Sequence, residues 1–99
     1  MKRVLIIGAG DLGQQIAHYV SESTDHTIVG YVDDWASMGD MRRGYPVLGS
    51  VKDTEALFYQ GIFDELLIGI GYKHFDARKQ LFDQYKSIIP FATYLHPSS

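Results

Sequence analysis

Lys2-Arg3-Val4-Leu5-Ile6-Ile7-Gly8-Ala9-Gly10-Asp11-Leu12-Gly13-Gln14-Gln15-Ile16 is the stretch whose reading decides the fold. An unbroken apolar run, Val4 to Ile7, stops at a glycine. Gly8, Gly10 and Gly13 then follow in G-x-G-x-x-G spacing. A strand that is apolar at consecutive positions is buried on both faces, as in a parallel sheet covered by helices. Gly8 allows the turn, Gly10 lets a ligand approach the backbone, and Gly13 lets the next helix pack against the strand. The free N–H groups of the first helical turn, together with the helix dipole, favour an anion, most often a phosphate. Asp11 would repel a phosphate placed at that same spot, so the anion sits further along or Asp11 points away. The competing reading is a tight strand-to-helix turn that holds no ligand.

The pattern continues outward from this turn. A first helix is expected from about Asp11 to Glu22, with Leu12, Ile16, Tyr19 and Val20 facing the sheet. A second strand, Thr27 to Val32, ends at Asp33-Asp34. From Trp35 to Tyr45 the periodicity fails, which reads as a loop. Pro46 to Gly49 is a very short strand or extended segment. Ser50 reads as an N-cap with Asp53 at the third helical position. The helix that follows runs from about Val51 to Tyr59, with Val51, Ala56, Leu57 and Phe58 inward and Gly61 at its C-cap. A strand from Glu65 to Ile70 closes on Gly69-Ile70-Gly71. A third helix runs from Lys73 or His74 to Tyr85, with Phe75, Leu81, Phe82 and Tyr85 on one face. Ile88 to Leu95 supplies a last strand that starts after Pro90.

This alternation implies an α/β fold: an open parallel sheet of four main strands plus a short extra one, with helices on both faces. The ligand crevice of such a sheet lies at the carboxyl ends of its strands, beside strand one. Gly8 to Gly13, Asp33-Asp34, Gly69 to Tyr72, and His96 all fall at such ends.

A chain of 99 residues is expected to be one domain, and 9 basic against 12 acidic residues (net charge −3) argue against a nucleic-acid binder. The absence of cysteine removes disulfides, thiolate metal sites and a cysteine nucleophile. The apolar run before Gly8 is too short for a signal peptide or a membrane span, so a cytoplasmic location is expected. His18, His26, His74 and His96 show no metal-ligand spacing, and no metal is expected. No nucleophile–base pair or G-x-S-x-G is visible, so no catalytic residue is assigned.

Asp33 stands where an acid accepts ribose hydroxyls in dinucleotide folds, although paired aspartates also simply begin turns. Arg42 and Arg43 either fold over a diphosphate or form a solvated loop pair, and the solvated pair is the preferred reading. Trp35 either stacks on a base or anchors its loop. His74 is a candidate ligand contact, and His18 and His26 read as structural or exposed.

Gly8-Ala9-Gly10 through Ile16, Val32-Asp33-Asp34, Tyr45 to Ser50, Ile68 to Gly71 with Arg78-Lys79 beyond, and Leu95 to Ser98 together resemble one family. It is the N-terminal domain of bacterial nucleotide-sugar acetyltransferases of the NeuD and PglD type. The resemblance implies a small Rossmann-like domain over residues 1–95 that binds a UDP-linked amino sugar. It implies that residues 96–99 lead into a missing C-terminal β-helix of hexapeptide repeats, which holds acetyl-CoA as co-substrate, carries the catalytic histidine and builds a homotrimer. By position, Gly8, Gly10, Asp11, Leu12 and Gly13 form the diphosphate turn, Asp33 and Asp34 contact the uridine, and Gly69, Gly71 and Tyr72 form the facing wall. The segment itself needs no cofactor and is not expected to be catalytic. Two other readings remain open: an NAD-binding domain of an oxidoreductase or redox-sensing regulator, and a non-catalytic regulatory domain.

Overall fold

The computed structural model describes residues 2–22, 25–70 and 75–92. Strand β1 (Lys2–Ile7) leads into helix α1 (Asp11–Ser21), and β2 (His26–Val32) follows. A two-residue strand, β3 (Met41–Arg42), precedes β4 (Tyr45–Gly49). A 3-10 turn (Val51–Asp53) runs directly into α2 (Thr54–Tyr59). Strand β5 (Glu65–Ile68) and helix α3 (Phe75–Tyr85) complete the described elements.

The sheet order is β3-β4-β2-β1-β5. Strands β4, β2, β1 and β5 are parallel, and β3 is antiparallel to β4. From β1 the chain therefore works outward on one side, then returns to place β5 on the other. The strand order reverses at β1, which puts the glycine turn at the switch point of an open Rossmann-like sheet.

Burial on both faces of β1 follows from its sequence. Val4 and Ile6 join one cluster, with Ala17 and Val20 of α1. Leu5 and Ile7 join the other, with Leu57 and Phe58 of α2 and Leu81 and Tyr85 of α3. The helices thus cover both faces, as expected. On α1 the fully buried stripe is Gly13, Ala17 and Val20, while Leu12, Ile16 and Tyr19 are half-buried. Small residues carry the stripe because the helix approaches the sheet closely.

Strand β2 contains a bulge that the alternation does not announce. Val4 pairs with Ile28, but Leu5 pairs with Gly30, so Val29 is an extra residue. Gly30 has φ +154, and a Cβ on it would lie 2.4 Å from the Pro46 carbonyl oxygen. The bulge shifts the parity of the strand. Ile28 and Tyr31 consequently share the α1 face, and Val29 and Val32 the other.

Several local expectations are corrected. The segment from Trp35 to Tyr45 is not all loop: it contains the hairpin of β3 and β4, turned at Arg43 (φ 52) and Gly44 (φ 84). Two positive φ values in a two-residue connection match a strand twist, but Arg-Gly lacks the usual Asn-Gly or Asp-Gly signature. The short segment at Pro46 is a five-residue strand lying against β2. Ala56 faces solvent, and Thr54 is buried in its place, its hydroxyl donating to the Val51 carbonyl at 2.6 Å. Residues 54, 57 and 58 share one helical face, and 56 falls opposite. Phe82 is also exposed rather than inward. Strand β5 stops at Ile68, and the last strand is a single parallel bridge from Phe91 to Leu66, with 93–95 outside the described residues. The Ser50 cap is as read, its N–H donating to Asp53 Oδ2 at 2.9 Å. Gly61 (φ +77) closes α2 through Gly61 N–H to Phe58 and Ile62 N–H to Leu57, a Schellman pair.

Candidate functional site

The carboxyl ends of β1, β2, β4 and β5 converge around the glycine turn, and backbone bonds lock them together. The Gly8 N–H donates to the Val32 carbonyl at 2.8 Å, and the Gly69 N–H to the Ile7 carbonyl at 2.7 Å. The Asp33 N–H reaches the Gly49 carbonyl at 3.0 Å.

Each glycine of the motif has a different reason to be there. Gly8 has φ +105, and a Cβ on it would lie 2.8 Å from the Gly69 oxygen. A Cβ on Gly13 would lie 1.9 Å from the Gly8 oxygen, and one on Gly69 would lie 2.7 Å from Gly13 Cα. Gly8, Gly13 and Gly69 therefore form one backbone contact that binds the turn, α1 and the end of β5. Gly10 is different: among the described residues a Cβ there meets nothing within 4 Å, and the residue is exposed. It stands at the N-cap of α1, where its neighbours impose no need for a missing side chain.

Asp33 is tied down. Its Oδ2 accepts the Ala9 N–H at 2.8 Å, and its Oδ1 accepts those of Trp35 at 2.7 Å and Ala36 at 2.9 Å. Burial pushes its carboxyl up, but these three donors and the nearby Arg42 outweigh burial, so the net shift is downward. Asp34 is exposed and accepts the Val51 N–H at 2.9 Å, which fastens the β2 loop to the start of the 3-10 turn. Asp33 thus begins a turn, as one of the two sequence readings had it, whereas Asp34 makes a long-range tie. Asp33 also keeps lone-pair capacity, since a carboxylate offers about four acceptor sites and three are taken.

Ala9 is fully buried, and side chains hold both ends of its peptide. Its carbonyl accepts Gln14 Nε2 at 3.0 Å and Arg42 Nη1 at 3.1 Å. Arg42 is therefore not a solvated loop residue, and the preferred sequence reading is corrected. Its own carbonyl accepts the hydroxyl of the buried Tyr31 at 3.0 Å. Burial pushes the Tyr31 phenol up. Arg43, by contrast, is exposed in the hairpin turn. The Arg42 contact was hidden from the sequence because it needs the unannounced hairpin and the β2 bulge.

Asp11 is exposed and Leu12 half-buried in the first turn of α1. Trp35 is 86% exposed, so it does not anchor its loop to the body. Gly71, Tyr72, His74 and His96 lie outside the described residues. His18 pairs with Glu22 on the surface of α1 at 3.4 Å. His26 opens β2, and its Nε2 lies 3.2 Å from Glu65 Oε1, at the end of the sheet remote from the glycine turn. Among the described residues, no group of three His, Asp or Glu could hold a metal ion, and no helix is long and apolar enough to cross a membrane.

Fold and site together define an open parallel α/β unit with a glycine turn at its switch point. The chain belongs to the PglD N-terminal domain family, whose model matches residues 3–85. No curated protein sequence matches it significantly. Solved structures share the fold. UDP-D-quinovosamine 4-dehydrogenase from Vibrio fischeri superposes with a TM-score of 0.75 at 20% identity, covering 90% of this chain and 73% of that one. A variant of perosamine N-acetyltransferase from Caulobacter crescentus, in complex with CoA and GDP-perosamine, gives 0.74 at 24% identity, covering 99% of this chain and 44% of that one. RSP, a Rex-family repressor, gives 0.66 at 26% identity, covering 85% of this chain and 41% of that one. Another RSP structure holds β-NADH. The chain thus spans less than half the length of the acetyltransferase and at most half that of the repressor.

Proposed function

We propose that this chain is the nucleotide-sugar-binding domain of an acetyltransferase. The ligand is a UDP-linked amino sugar. Its diphosphate lies across the glycine turn, and its nucleoside lies towards Asp33 and Trp35. Acetyl comes from acetyl-CoA held by a C-terminal β-helix domain, where a histidine acts as general base. The whole protein is a cytoplasmic homotrimer of surface-glycan biosynthesis.

Membership in the PglD N-terminal domain family supports this reading. The observation that carries it is Gly10. Gly8 and Gly13 are required by contacts inside the protein, whereas none of the described residues requires Gly10. A glycine with open space beside it, at a strand-to-helix turn, suits close approach of a phosphate to the backbone.

A second reading, NAD binding, is favoured by the likeness to RSP, which binds β-NADH in one of its structures. Calorimetry and thermal shift with UDP, UDP-sugars, GDP-sugars, NAD and CoA separate the two. Stabilisation by UDP compounds is the expected result. A response to NAD alone overturns the acetyltransferase reading, and a response to GDP compounds alone corrects the nucleotide.

A further inference from the structure

We propose that Arg42 is the phosphate-reading residue of this site and that Asp40 holds its place until an anionic ligand arrives. The inference deepens the nucleotide-sugar reading and rests on it.

The backbone of Arg42 is fixed from three directions. It pairs with Tyr45 across the hairpin, it closes the Arg43–Gly44 turn, and its carbonyl receives the Tyr31 hydroxyl. Tyr31 is fully buried on the α1 side of the sheet, so this anchor belongs to the core rather than to the loop. From that base the side chain reaches the glycine turn, where Nη1 donates to the Ala9 carbonyl at 3.1 Å. Its charge is close enough to help pull the Asp33 carboxyl down.

A guanidinium offers five N–H donors in a rigid fork. The Ala9 carbonyl takes one and is already shared with Gln14. Nη2 faces Asp40 Oδ2 at 3.6 Å, a loose pair with Asp40 about half exposed. That carboxylate oxygen occupies the kind of position a phosphate oxygen would take, and Arg matches either geometry. A phosphate at the turn can displace Asp40 into solvent without breaking the Ala9 bond. Arg42 then also offsets the electrostatic problem of Asp11, because it sets a positive charge on the Ala9 carbonyl of the same turn.

The test compares wild type with Arg42→Gln, Asp40→Asn and the double variant, using UDP and GDP against uridine and guanosine at one fixed salt concentration. Arg42→Lys serves as a second variant that keeps the charge and loses the fork. Thermal melts confirm that each variant is folded. The expected result is that Arg42→Gln weakens nucleoside diphosphate binding by about tenfold or more and leaves nucleoside binding unchanged. Asp40→Asn strengthens diphosphate binding about threefold, and the gain vanishes in the double variant. If the diphosphate-to-nucleoside ratio is unchanged in Arg42→Gln, the inference is overturned and Arg42 only braces Ala9. If the Asp40→Asn gain survives in the double variant, the effect is long-range and the Asp40 role is overturned. A wild type that binds none of the four overturns the nucleotide-sugar reading and this inference with it.

Discussion

The Asp33 carboxylate receives the Ala9 N–H at 2.8 Å, which ties the loop after β2 to the glycine turn after β1. From the sequence, Asp33 is a nucleoside contact. In the structure it is also the clasp of the site, with Trp35 and Ala36 on its second oxygen. Asp33→Ala therefore lowers stability as well as affinity. The expected loss is about 2 kcal/mol, the scale of hydrogen bonds to a charged group, read from a denaturant midpoint. Unchanged stability with lost affinity would restore the simpler role of a ligand contact.

Gly10 and Gly13 separate binding from folding. Gly13→Ala places a Cβ 1.9 Å from a backbone oxygen, and neither atom can yield. It is expected to cost about 3 kcal/mol or more. Gly10→Ala meets nothing, so the protein folds with a loss of about 1 kcal/mol or less from the N-cap. If the diphosphate lies across the turn as proposed, it nevertheless loses nucleotide binding, because its methyl then stands in the phosphate's path. Normal affinity in Gly10→Ala would move the phosphate elsewhere.

Trp35 is the single tryptophan of the chain and is almost fully solvated. Its amide is bonded to Asp33, the residue to which the proposed function assigns the nucleoside. Addition of a binding nucleotide is expected to quench and shift its emission. Trp35→Ala is expected to lower affinity by about 1–3 kcal/mol, the range of base–aromatic stacking. A ligand that binds by calorimetry without changing the emission would exclude stacking.

At the other end of the sheet, Asp64 grips Arg3 through its side chain and its N–H. The Arg3 guanidinium and then the Arg3 N–H hold the Asp64 carboxyl down at about 2. The folded value lies below the unfolded one of about 3.9, so the pair's contribution is present above that value and is lost as pH falls through 2. Asp64→Asn is expected to melt lower than wild type at neutral pH, with the gap closing between about pH 4 and pH 2. A gap that stays constant with pH would show that the charge is not the cause.

The four aliphatic residues Val4 to Ile7 are enough to place a strand buried on both faces, because no amphipathic element tolerates such a run. The glycine spacing, the Ser50–Asp53 cap and Gly61 are equally legible, since each satisfies backbone groups within a few residues. The Val29–Gly30 bulge and the β3–β4 hairpin were not legible. Their causes lie across the sheet: the Pro46 carbonyl against Gly30, and the twist of β4 at an Arg-Gly turn.

The same division runs through the site. By itself the sequence determined the parallel α/β class, the glycine turn at the end of the first strand and the acid at the end of the second. These follow from local periodicity and from the steric freedom of glycine. Only the tertiary structure decided which glycine is spare, that Asp33 braces the turn, and that Arg42 leans on Ala9. Those relations join residues far apart in the chain, and the Arg42 contact rests in addition on Tyr31, which the bulge in β2 turns towards the hairpin.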